Sequence, residues 1–146
     1  MYRVLRCPIL LVVATACTSP VEPTLLPGAY VLVSIDGVSP PVLRWATTNC
    51  DYTVSGATLT IGPADSAALT VNEVYDCSRA GGQVTIGGRT YPGRFTLAGR
   101  SFTLVSPTQS GPPLQLSGTV LVGGRTVDLD DPADYAGGPG LLRLRR

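Results

Sequence analysis

Chemistry in this chain must come from four cysteines, ten carboxylates and eleven arginines, because it holds no histidine and no lysine. Without histidine the chain lacks the side chain most used as a general base near neutral pH, and the commonest metal ligand. Ser-His-Asp and Cys-His sites are excluded outright. Asp51, Glu73 and Asp76 lie near Cys50 and Cys77 in sequence, so a bridge between those cysteines would gather the three acids. A carboxylate pair is the minimum for glycosidase-type acid/base work. The competing reading is a solvated rim, since acids at strand ends are commonplace. Asp128, Asp130, Asp131 and Asp134 could offer oxygen ligands to calcium, but Pro132 interrupts them and the Asn/Gly framework of an EF-hand loop is missing. A solvated acidic run is the plainer account. No enzyme, cofactor or metal site is expected.

The cysteines divide by position. Arg3 and Arg6 precede an apolar run from Cys7 to about Val13, and small residues lead into Cys17. That is the layout of a secretory signal. Ala14-Thr15-Ala16-Cys17 resembles the lipobox of bacterial lipoproteins, in which the cysteine is diacylated and becomes the new N-terminus. The resemblance implies a lipid anchor at Cys17 and a place in the bacterial cell envelope. Ala14-x-Ala16 also satisfies ordinary signal cleavage, which would leave a secreted or periplasmic soluble protein. The apolar run is too short for the ~20 residues of a spanning helix. Cysteine parity favours the anchor: Cys7 leaves with the signal, and an exported chain with Cys17, Cys50 and Cys77 has one cysteine too many. Acylating Cys17 resolves the count if Cys50 pairs with Cys77. Both sit at ends of predicted strands, in a compartment where disulfides persist. Two free, redox-active thiols are the rival, and neither belongs to a C-x-x-C motif.

Four segments follow: a signal peptide over 1–16, an acylated cysteine and tether over 17–27, a β domain over 28–131 and a flexible tail over 132–146. The tether has three prolines between Thr18 and Pro27 and no periodicity, which suits a semi-extended spacer. Residues 28–131 carry six arginines against eight acids, a balance of −2, so no basic stripe offers itself to nucleic acid.

The β domain reads as short strands punctuated by turns. Tyr30–Ile35 ends at Asp36-Gly37, Phe95–Leu97 turns at Ala98-Gly99, and Leu114–Val122 turns at Gly123-Gly124. Gly87-Gly88 has the same look, and places a turn between Val84–Ile86 and Arg89–Tyr91. Ser55-Gly56 separates Tyr52–Val54 from Ala57–Ile61. Glycine, proline and threonine break every helical period. Eight to ten short strands must close or pack as two sheets, and closure removes exposed edges. The expectation is an all-β, antiparallel up-and-down barrel of about eight strands. A membrane-spanning barrel is disfavoured, because its strands run ~9–11 residues between aromatic girdles.

Gly28-Ala29-Tyr30 opening the first strand, with Asp36-Gly37 and a proline-bearing loop after it, resembles the start of lipocalin-like domains in small bacterial lipoproteins. Those domains are eight-stranded antiparallel barrels, so the resemblance implies a barrel that binds a small apolar molecule. Tyr30, Trp45, Tyr75, Phe95 and Phe102 are the candidate lining, with Arg44, Tyr52 and Tyr91 nearby. The alternative is a filled barrel acting as a protein-interaction or envelope-maintenance module. The expected partners are the membrane, through the lipid anchor, and either that small molecule or another envelope protein.

Overall fold

The computed structural model describes residues 24–107, 113–121, 123–130 and 140–146. The signal segment, Cys17 and most of the tether lie outside the described residues. The described residues form nine strands in order: β1 (Gly28–Ile35), β2 (Val42–Ala46), β3 (Asp51–Ile61), β4 (Ser66–Asp76), β5 (Val84–Ala98), β6 (Ser101–Ser106), β7 (Leu114–Val120), β8 (Thr126–Asp130) and β9 (Leu141–Arg145). One 3-10 turn, Ser78–Ala80, is the helical element among the described residues.

Every strand pair is antiparallel, and the sheet closes on itself. From β3 the strands run in sequence order to β9; β9 pairs with β1 and β1 returns to β3. That is an eight-stranded up-and-down barrel, with β2 left outside it. The eleven residues of β3 serve two partners. Thr58–Ile61 pair with β1 inside the barrel wall, whereas Asp51–Val54 pair with β2 beyond it.

Alternation decides which residues enter the core. On β4, Ala67, Leu69, Val71 and Glu73 are buried, and on β9 Leu142 and Leu144. Along β3 the parity changes at Ser55-Gly56: Tyr52 and Val54 are buried before it, Ala57, Leu59 and Ile61 after it. The register with β4 shifts at this point, so Ser55-Gly56 is a bulge inside one strand, not a break between two. Twenty buried apolar residues form one cluster, including Tyr30, Leu59, Phe102, Leu104, Leu116, Val127 and Leu144. The outer face carries Thr58, Thr60, Thr70 and Asn72. The interior is apolar, unlike the polar lumen of a spanning barrel, and the exterior mixes these polar residues with exposed Val31, Val33, Ile86 and Val105.

Three expected turns are present: Gly37, Gly99, Gly123 and Gly124 all take positive φ, as does Asp36. Gly87-Gly88 is a correction. Neither glycine takes positive φ, and both lie inside the fifteen-residue β5, paired with Glu73 and Asn72. A continuous partner strand on β4 holds this stretch extended, and a turn there would forfeit the ladder from Asp76 to Val71. The tail is a second correction. Leu141–Arg145 is a strand with neighbours on both sides, β8 and β1, so the end of the chain completes the barrel. Its Leu-Arg alternation suits that place: Leu142 and Leu144 go in, Arg143 and Arg145 out. Asp131 and Asp134 lie outside the described residues.

The first described residues, from Thr24, are tied to the barrel end where β9 finishes. Tyr30 Oη accepts from Leu26 N–H at 2.9 Å and lies 2.8 and 2.7 Å from the Leu26 and Gly124 carbonyl oxygens, one of which takes its proton. Buried hydroxyls need such partners. Residues Thr24–Pro27 therefore reach the barrel against the β7–β8 turn.

Candidate functional site

Four strands run past the barrel wall and form an arm: β2, the first half of β3, the second half of β4 and the first half of β5. The arm continues the inward-facing side of the sheet. Register puts Trp45 opposite Tyr52, and Tyr52 opposite Tyr75. The three rings form one group, with centroids 5.8 Å apart for Trp45–Tyr52, 4.8 Å for Tyr52–Tyr75 and 6.5 Å for Trp45–Tyr75. Such offset and edge contacts add to the apolar burial. The other edges of β2 and of Val84–Tyr91 have no strand partner among the described residues.

Glu73 is the charged residue of this face. Only 2% of it is exposed, yet both carboxylate oxygens are engaged. Tyr52 Oη donates to Oε1 at 3.0 Å, and Arg89 Nε lies 3.2 Å from Oε2. Arg89 also donates to Tyr75 Oη at 2.9 Å. The residue opposite Glu73 is Gly87, which has no side chain, and Arg89 reaches Glu73 diagonally from two residues along. Burial works against the charge of Arg89, but Glu73, Tyr75 and Tyr91 more than offset it and raise its pKa.

Burial, reinforced by the hydrogen bond and charge of Glu73, pushes the Tyr52 hydroxyl well above its usual range. This has a consequence for pH. The unfolded chain ionises tyrosine near pH ~10, while folded Tyr52 stays neutral, so the unfolded state loses protons first. Stability is complete below pH ~10 and falls as pH rises above it. Urea unfolding between pH 8 and 11 checks this, and Tyr52→Phe should flatten the decline. An equal slope in both proteins would rule Tyr52 out as a source.

The acids expected to cluster each have their own partner instead. Asp51 and Asp76 are paired across β3 and β4 at the end of the arm. Asp51 binds Arg79, and Asp76 accepts from Ser78 N–H at 3.0 Å and Ser78 Oγ at 2.6 Å. The Ser78 bonds hold the Asp76 carboxyl below its usual range. Glu73 is not on the rim at all. Asp51 Oδ1 is buried without a hydrogen-bond partner among the described residues, while its Oδ2 meets Arg79. Asp128 is buried and bidentate to Arg143, at 2.8 and 2.7 Å, while Asp130 is exposed. Among the described residues no group of three or more His, Cys, Asp or Glu is placed to hold a metal ion.

Cys50 and Cys77 are bonded, closing the tip of the arm across a separation of 27 residues. The aromatic residues named as a ligand lining occupy different parts of the fold. Trp45 and Tyr75 belong to the arm. Phe95 and Phe102 stack inside the barrel with centroids 5.6 Å apart. Tyr30 is buried at the tether end. Arg44 lies beside Trp45 but turns to Asp36, at 3.3 Å. Sequence reasoning missed the Glu73–Arg89 contact, although an acid at an inward-facing position of an apolar strand was a signal that a cation had to meet it. No family model, no curated protein and no solved structure matches the chain.

Proposed function

We infer that the chain is an exported, lipid-anchored envelope protein whose packed barrel acts through its surface. The Cys50–Cys77 bond carries this reading. Structural disulfides persist in oxidising compartments and are rare in the cytosol, which argues for export. The bond also accounts for both cysteines of the β domain, leaving Cys17 as the unpaired cysteine after a signal that would remove Cys7. Two or more acyl chains on Cys17 would hold the protein stably, where one alone binds marginally. Interior packing favours surface action over an internal ligand, since Tyr30, Leu59, Leu104, Val120 and Val127 meet in one fully buried cluster.

Fatty-acid labelling and cell fractionation test the anchor. The wild-type chain is expected in membranes with label on Cys17, and Cys17→Ser in the soluble fraction without it. Unchanged fractionation and no label would sink the anchor.

A second reading, lipocalin-like binding of a small apolar molecule, draws on the Trp45–Tyr52–Tyr75 group at the barrel mouth. Native mass spectrometry of the purified protein separates the two. A co-purifying apolar molecule supports the ligand role, and the bare polypeptide mass supports surface action.

A further inference from the structure

Up-and-down topology sends each strand end to one of two barrel ends, and the charges separate accordingly. Arg100, Arg125 and Arg146 lie in or beside turns at the end where the tether enters, and Arg94 and Arg145 lie on the strands leading to it. Asp65 is the carboxylate described at that end. The opposite end carries Asp36, Asp51, Asp76 and Asp130, with Arg44 and Arg79 paired to the first two. Arg125, Arg145 and Arg146 are all exposed, and none has a carboxylate partner among the described residues.

Arg125 and Arg146 flank Leu26, in the described end of the tether, and Arg145 lies on the adjoining wall beside Arg143. Arg146 N–H donates to the Arg125 carbonyl at 2.9 Å, and Arg145 pairs with Thr126 and Val31. Arg125, Arg146 and Leu26 line one recess beside the incoming chain. A Cβ at Gly28 would lie 3.2 Å from Arg146 Nε, so that guanidinium rests against the first residue of β1.

We propose that Arg125, Arg145 and Arg146 form a membrane-facing surface that binds the phosphate groups of anionic lipids. The proposal rests on the anchor at Cys17. Thr24 is seven positions after Cys17, a reach of at most ~25 Å, so an acylated Cys17 keeps this barrel end close to the bilayer. The acid-bearing end then faces away. Attraction to an anionic leaflet decays within a Debye length of about 8–10 Å, and this end is the one that can come that close. A basic patch is the usual second signal beside acyl chains. Guanidinium suits the task because it meets phosphate through a planar fork of donors. The opposite end, where Arg44 and Arg79 offset two of the four carboxylates, offers the leaflet no such patch, which sets the barrel's orientation.

The test uses the full chain carrying Cys17→Ser, so that acylation contributes nothing, with and without Arg125→Gln, Arg145→Gln and Arg146→Gln. Arg3 and Arg6 are common to both chains and cancel in the comparison. Sedimentation with vesicles of phosphatidylcholine containing about one third phosphatidylglycerol measures partition in low salt. At about fivefold per arginine, the parent should partition about a hundredfold more strongly than the triple variant. Neutral phosphatidylcholine vesicles should not separate them. Equal partition of the two chains, with matching thermal midpoints, overturns the proposal. Inorganic phosphate that displaces the parent at constant ionic strength also overturns it, because the surface would then be a free-phosphate site. Fatty-acid labelling of the wild-type chain separates the two ideas. Labelled Cys17 with equal partition defeats the surface alone, and unlabelled Cys17 with a retained hundredfold difference defeats the anchor alone.

Discussion

Gly118→Ala is expected to destabilise the barrel by about 2–3 kcal/mol, at the upper end of what overpacking costs. A Cβ at this position of β7 would lie 2.3 Å from the Asp128 carbonyl oxygen and 2.7 Å from Leu129 Cδ2. The first is backbone, and the second is a methyl of fully buried Leu129. Asp128 and Leu129 are held on their other side by Arg143 and Leu142 of β9, so relief would have to pass through a closed ring of strands. Gly93→Ala should act in the same direction, with its Cβ 2.1 Å from the Val105 carbonyl oxygen at the step from β4 pairing to β6 pairing. Gly87→Ala is the control. It meets nothing within 4 Å and has no positive φ, so it should be neutral or gain about 0.4–1 kcal/mol by restricting the unfolded chain. Chemical denaturation of the three variants reads the difference. A Gly118→Ala midpoint equal to that of Gly87→Ala would show that β7 and β8 are free to separate.

The second large effect belongs to the disulfide. Replacing Cys50 and Cys77 together by serine should cost about 3–4 kcal/mol, by the chain-entropy estimate for a loop of 27 residues. The loss should appear first in the arm. β2 has one neighbour, β3, and its pairing with Asp51–Val54 stops where the bond begins, whereas the barrel has no free edge. Hydrogen exchange should accelerate in β2 and the first half of β3 before β6, β7 or β8. Trp45 is the one tryptophan of the chain, so its fluorescence reports the arm directly. Unfolding at the same denaturant concentration in both proteins would show that the arm is held without the bond.

Much of the architecture was legible from period and turn chemistry. The two-residue period of β4 puts Leu69, Val71 and Glu73 on one face, and all three are buried. Asp36-Gly37, Ala98-Gly99 and Gly123-Gly124 turn as their types suggest, because glycine takes positive φ without penalty. Gly87-Gly88 has the same composition and does not turn. A glycine pair permits a turn but cannot compel one, and eleven consecutive pairings between β4 and β5 prevail over the local preference. Ser55-Gly56 shows the intermediate case, where one extra residue is absorbed as a bulge and the strand continues.

The candidate site was less legible. Its acids were visible as residues, but their partners were not. Glu73 meets Arg89 across sixteen positions of sequence, through a diagonal that exists only once β4 and β5 are in register.

By itself, then, the sequence determined the all-β class, most of the turns and the two cysteines that pair. These follow from interactions within a few residues: steric limits on φ, the two-residue period of a strand, and the need to bury apolar side chains. Tertiary structure alone decided how the sheet closes. The last strand pairs with the first, Val31 opposite Arg145, and β2 is left outside because β1 takes the second half of β3. Closure also placed Leu26 beside Arg125 and Arg146, residues far from it in sequence. Such pairings depend on which edges remain open once the local strands have formed, and no local pattern records that.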